Sequence, residues 1–318
     1  MKKRINYLFA AGIMLSAAVV FTSCKKTSSD PGLPPIGGYN SSDDVASTNL
    51  MAKWSFENSL TESKQGLVGT GTNVAYTTGK KGQAWQGSSS QARYAIYNTG
   101  TIPSMTSYSI AFWMNSDSAK LPLAVPTQGY GAQGILSLVD ATSFWGGINL
   151  MLENRSPADG DTMRIKMFTN NKRTGVVWAG QSPVIRIPGA LKQWIHIVLT
   201  YDEGTGRYSA YVNGALGGKM EVPYGPVFGG TVIEYANDPG SINNVNNAPI
   251  QGAIVFPAST QLVIGAFQFN TTPPLNAGGT QQPWATTFAG LLDEMRIYKS
   301  ALSASDVSAL YQLELAGR

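Results

Sequence analysis

Between residues 50 and 298 the chain is a succession of short segments with strand periodicity, each closed by Gly, Asn, Asp or Pro, and this confines it to sheet architectures. Leu50, Ala52, Trp54 and Phe56 alternate with Met51, Lys53 and Ser55, the period-two pattern of a half-buried strand. Residues 108–114 carry large side chains on both faces, as a strand inside a sandwich does. Residues 134–139, 147–152, 163–168, 261–267 and 288–298 supply further strands. Residues 194–201 and 207–212 flank Asp202-Glu203-Gly204-Thr205-Gly206, a short hairpin loop. Asn213-Gly214 follows, a dipeptide suited to the two positive φ angles of a type I′ turn. The expected fold class is all-β, an antiparallel sandwich or jelly roll. One helix is expected at the end of the chain. Ser303 and Asp306 fit a capping box, and Val307, Leu310 and Tyr311 form an apolar stripe that would close one end of the sheets.

The N-terminus reads differently. Lys2, Lys3 and Arg4 precede an apolar run over residues 7–21, too short for a comfortable membrane span, and Thr22-Ser23 follow: the layout of a secretory signal. Cys24 is the only cysteine, so it has no internal disulfide partner. Its position after small residues resembles the lipobox of bacterial lipoproteins, which implies an exported chain held at a membrane by acyl groups on Cys24. An ordinary signal peptide with an incidental cysteine is the alternative. The formal charge of +4 belongs largely to this segment. Without Lys2, Lys3 and Arg4, 20 basic residues face 19 acidic ones, and no Lys/Arg stripe follows, so a nucleic-acid partner is not expected. Residues 1–23 are therefore assigned to the signal and 24–48, rich in Ser, Pro, Gly and Asp, to a flexible tether. Residues 49–318 remain as one large β domain.

Four stretches resemble the laminin-G-like, concanavalin A-like jelly rolls of the lectin and glucanase superfamily. They are Ala52-Lys53-Trp54-Ser55-Phe56-Glu57-Asn58-Ser59-Leu60 with Glu62, and Gly79-Lys80-Lys81-Gly82-Gln83-Ala84. The third is residues 194–202 with Tyr211-Val212-Asn213-Gly214, and the fourth is residues 288–298 with Ala301-Leu302-Ser303. Together they bracket nearly all of residues 50–318. The resemblance implies a ligand site on the concave sheet or its loop rim, and the long stretches 116–133, 223–257 and 270–286 are where such a site belongs. It also implies a calcium ion where the opening and closing strands meet, with Glu62 and Asp293 as ligands and Glu57 behind them. Satisfaction of these carboxylates by backbone donors or by Arg296 is the alternative.

Catalytic signals are sparse. The glucanases of the superfamily use carboxylates alternating along one strand, and no such run occurs here. Asp159-Gly160-Asp161 sits in a turn context, and the adjacent Asp293 and Glu294 point to opposite faces on a strand. His196, the sole histidine, lies inside an apolar strand. No phosphate-binding glycine loop is present. The chain is therefore expected not to be an enzyme. Aromatic residues are the remaining lever, because sugar rings offer apolar faces to Trp and Tyr. Trp54, Trp113 and Trp194 fall in strands and read as core, whereas Tyr130, Trp145, Trp178, Tyr235 and Trp284 fall in loops or at strand ends. Those five are the candidate glycan platform, with pinning of long loops as the alternative role. The expected function is a non-catalytic, carbohydrate-binding envelope lipoprotein that holds polysaccharide near an outer-membrane transporter of a Gram-negative bacterium. An adhesion module that binds another protein is the second reading, and a glycoside hydrolase or lyase with an unrecognised site the third.

Overall fold

The computed structural model describes residues 32–88, 90–116, 132–153, 162–172, 181–205, 207–216, 219–221, 227–229, 232–233, 252–276 and 279–318. They form a two-sheet sandwich. The first sheet runs β13 (Ala215–Leu216), β12 (Arg207–Val212), β11 (Ile195–Asp202), β6 (Tyr108–Asn115), β19 (Leu291–Tyr298), β4 (Gln83–Gln86), β3 (Tyr76–Thr78). Onto this path β1 (Leu50–Trp54) pairs with β19, and β16 (Val232–Ile233) with β12. The second sheet runs β15 (Val227–Gly229), β14 (Lys219–Glu221), β10 (Gln181–Ile187), β9 (Met163–Thr169), β8 (Ile148–Leu152), β7 (Ala132–Leu138), β17 (Gln261–Ile264), β5 (Tyr94–Asn98), β2 (Thr70–Thr72). All these pairings are antiparallel; β18 (Ala285–Thr287) adds to β7 in parallel.

Period-two patterning sets the faces. Ile110, Phe112 and Met114 of β6 meet Leu150 and Leu152 of β8 and Ile165 and Met167 of β9 in the core between the sheets. Each such side chain, fully buried, contributes about 1.5–3 kcal/mol. The β11–β12 hairpin forms as the sequence predicts, with Asp202 opposite Arg207. Asn213 (φ 51°) and Gly214 (φ 81°) then turn the chain into β13. In β1 the alternation is broken at its start. A register shift between Leu50 and Ala52 puts Met51 in the core with Ala52, and Leu50 against the outer layer instead.

Helix α1 (Ala304–Leu315) has the expected N-cap, with Ser303 Oγ accepting from Asp306 N at 3.1 Å. It does not close an end of the sheets. Val307, Leu310 and Leu313 lie flat on the outer face of the first sheet, over Ala111, Val198, Tyr211 and Tyr298. Residues 32–48, part of the expected tether, are packed there too. Val45 is fully buried in the same layer, and Tyr39 donates to Asp306 at 2.7 Å. Arg318 donates to the carbonyls of Pro34 and Asn40, both at 3.0 Å. Gly37 (φ +59°) makes this approach feasible, since a Cβ there would sit 2.7 Å from Ala309 Cβ. Composition favours disorder for such a stretch in isolation, and the contacts with α1 override it. Residues 24–31 of the tether and the signal segment lie outside the described residues. Among the described residues no helix is long and apolar enough to cross a membrane.

Candidate functional site

On the outer face of the second sheet, Phe144, Trp145, Phe267, Phe269 and Trp284 form a layer of their own. Gly265 (φ +89°) turns the chain at the end of β17, and a Cβ there would meet Arg93 O at 2.8 Å. Phe267 and Phe269 then stack at 4.9 Å and 9°, and Phe144 stacks on Phe269 at 4.5 Å. Gln268, between them and fully buried, accepts from Asp140 N at 2.8 Å. Its amide nitrogen donates to the carbonyls of Asp140, Ser143 and Phe144, so it holds the 140–145 loop in place.

Trp145 and Trp284 join this layer with ring centroids 5.8 Å apart. Trp145 also meets Phe168 at 5.3 Å, and Trp284 meets Phe269 at 5.5 Å. Both are half-buried. The two predicted aromatics thus come together, but their rings pack against other rings. Tyr130, Trp178 and Tyr235 lie outside the described residues. Further along the same face Glu153 pairs with Arg164, and with Lys166 at 2.8 Å.

Beside the aromatic layer lies a cavity of about 240 Å³. Ser88, Ser90 and Gln91, from the connection between β4 and β5, form one wall. Asn270 and Gln281 form another, and β18 supplies the third with Ala285, Thr286 and Thr287. Ser88 Oγ accepts from the backbone of Ser90 (3.2 Å) and Gln91 (3.3 Å), which shapes the first wall. Asn270 is only 7% exposed, and its Oδ1 has no hydrogen-bond partner. Among the described residues no charged side chain lines the cavity. Residue typing alone did not single out Asn270, Gln281 or Thr286, because neutral amides and hydroxyls are ordinary loop residues. The usable signal was the length of the 270–286 stretch.

The three expected calcium ligands each engage backbone N–H groups, Glu57 and Asp293 at the 79–83 turn and Glu62 at residues 53 and 64–65. Glu62, fully buried, accepts from the backbone N–H groups of Lys53 (2.8 Å), Gln65 (2.7 Å) and Lys64. Asp293 accepts from Lys81 N and Glu294 N, both at 2.8 Å, and Glu57 accepts from Gln83 N at 3.2 Å. Burial pushes the Asp293 carboxyl up to about 7 even so, with Glu294 adding to the rise. Calcium asks for six to eight oxygen ligands, whereas these carboxylates already spend their oxygens on N–H donors. Among the described residues no three or more His, Cys, Asp or Glu gather in a metal-binding group. Glu57, Glu62 and Asp293 therefore do not fit one shared ion.

Charge is concentrated instead beneath α1. Arg296, fully buried, pairs with Glu314, with Glu294 at 2.8 Å and with Asp43 at 3.0 Å. Lys53 reaches Asp43 at 2.6 Å and Glu294 at 3.3 Å. Glu294, at φ 47° where the register of β19 shifts, thus diverges from Asp293. His196 packs against Trp113 (5.2 Å) and Tyr311 (5.9 Å), which stack on each other, with Nε2 3.6 Å from Glu314 Oε2. Burial, reinforced by Arg296, pulls its pKa down to about 3, so it is neutral. At 1% exposure it has no access to a substrate. Asp159 and Asp161 lie outside the described residues.

No protein-family model matches the sequence, and no curated protein is recognisably similar to it. Solved structures do resemble it. The receptor-binding domain of botulinum neurotoxin D matches with a TM-score of 0.50 and 14% identity over 83% of this chain, which spans 52% of that one. Domain 4 of an extracellular arabinanase of Geobacillus stearothermophilus, in complex with arabinotriose, matches with a TM-score of 0.46 and 19% identity, covering 83% of this chain and 98% of that one. A heptameric pentraxin of Limulus polyphemus matches with a TM-score of 0.37 and 15% identity, covering 64% and 69%. The likeness to the toxin domain shows the fold alone, an antiparallel two-sheet β-sandwich, here with one short C-terminal helix.

Proposed function

We propose that this chain is a non-catalytic carbohydrate-binding lipoprotein of a Gram-negative envelope, anchored to the outer membrane through Cys24, with a concanavalin A-like, laminin-G-like body. In this role it presents polysaccharide to an uptake or degradation system such as an outer-membrane transporter. The observation that carries the reading is the cavity at Asn270: a concave site of neutral amides and hydroxyls beside an aromatic layer, the combination that suits a polyol. Hydroxyls and amides hold a sugar without supplying the carboxylate pair that cleaves a glycosidic bond.

The test uses the full chain, extracted in detergent, on an array of plant, bacterial and host glycans. Binding to at least one glycan, with no new reducing ends released during incubation, is the expected result. No binding anywhere on the array, or cleavage of a bound polysaccharide, overturns the reading. Cys24→Ala is expected to move the protein from the membrane fraction to the soluble one, and membrane retention of that variant rejects the lipid anchor.

A further inference from the structure

We infer that the cavity lined by Asn270 is a subsite for a single uncharged sugar residue, whose hydroxyls are held by the neutral amides and hydroxyls of the lining. This rests on the carbohydrate-binding reading and narrows it. Asn270 lines the cavity with a side chain only 7% exposed. Gln91, Gln281 and Thr286 supply groups that both donate and accept, which matches hydroxyls of either polarity.

Size and charge restrict the ligand further. At about 240 Å³ the cavity falls below the usual range of roughly 300–1,000 Å³ for small-molecule sites, so about one ring is held within it. No cation lines it among the described residues. Arg93, the nearest charge along the chain from Ala92, donates instead to the carbonyls of Gln86 and Gly87. A uronate carboxylate or a sulfate would be desolvated there without a counter-charge.

The experiment takes the best glycan from the array and competes it from the full chain with free galactose, glucose and arabinose, and separately with galacturonate and glucuronate. Neutral sugars are expected to compete at least tenfold better than the acids. Asn270→Ala is expected to weaken glycan binding at least tenfold without lowering the melting temperature. Gln281→Ala, at an exposed position, provides a second variant with a smaller loss in the same direction. Preference for the acidic sugars overturns the inference and leaves carbohydrate binding standing. Neutral-sugar binding unchanged in both variants moves the site elsewhere and likewise overturns it. Failure to bind any glycan removes both this inference and the reading beneath it.

Discussion

The layer under α1 and the layer built around Phe267, Phe269 and Trp284 cover opposite faces of one sandwich, and they differ in the polar groups they bring: ion pairs in the first, neutral amides in the second. Under α1, Arg296, Glu294, Glu314, Asp43 and Lys53 are paired with one another, and Trp113 donates to Glu314 at 2.7 Å. In the second layer the polar groups are neutral amides. Gln268 is fully engaged with the loop it holds, while Asn270 keeps an acceptor unused beside a cavity. The first arrangement fastens Ser42, Asp43 and helix α1 to the sheet through Arg296. Both faces leave buried atoms without partners, Arg296 Nε and both His196 ring nitrogens under α1 and Asn270 Oδ1 on the other, so what separates them is charge: ion pairs hold the first and neutral amides the second.

Breaking the fastened side has the largest expected effect. Arg296→Ala leaves Glu294 and Glu314 buried without their cation, and a loss of about 3–5 kcal/mol in urea unfolding is expected, with glycan affinity unchanged. A loss below about 1 kcal/mol removes the contrast drawn between the faces. Next comes pH. The unfolded chain binds a proton at His196 near pH 6.5, whereas the folded chain resists protonation until about pH 3. Its stabilising contribution is therefore present above about pH 6.5 and declines as pH falls toward 3, by about 2–3 kcal/mol at pH 4.5. Thermal melting from pH 7 to 4.5 reads this slope. His196→Gln is expected to flatten it, and an unchanged slope in that variant assigns the effect to carboxylates instead.

On the other face the effects are smaller. Trp145→Ala removes a half-buried ring from the aromatic layer, for an expected loss of about 2 kcal/mol in the same unfolding assay. Its glycan affinity is expected to fall less than that of Asn270→Ala, because the indole packs on neighbouring rings and does not line the cavity. A larger binding loss in Trp145→Ala restores the indole as a sugar platform. The smallest effect concerns calcium. With Glu62, Asp293 and Glu57 bound to backbone N–H groups, millimolar Ca²⁺ is expected to leave the melting temperature of the full chain unchanged. A clear rise, abolished by Glu62→Gln or Asp293→Asn, revives an ion at the meeting of the first and last strands.

Much of the sandwich was legible because its signals are local. The alternation in β9, the β11–β12 hairpin with its Asn213-Gly214 turn, and the Ser303 cap each follow from a few neighbouring residues. Where a long-range contact decides, the reading departs from the structure. Leu50 lost its place in the core to a one-residue shift against β19, and residues 32–48 gained order from contacts with a helix more than 250 residues away. The candidate site was half legible. Trp145 and Trp284 do meet, yet the cavity beside them is lined by residues whose types are common to every loop.

By itself the amino-acid sequence determined an all-β sandwich with a capped C-terminal helix, because strand periodicity, turn dipeptides and caps are properties of short stretches of chain. Only the tertiary structure decided which face α1 covers, which carboxylates are spent on backbone donors, and where an amide oxygen is buried beside open space. Those outcomes depend on partners brought together from distant parts of the chain, and burial, the condition that gives a polar group its energetic consequence, exists only once the two sheets have closed.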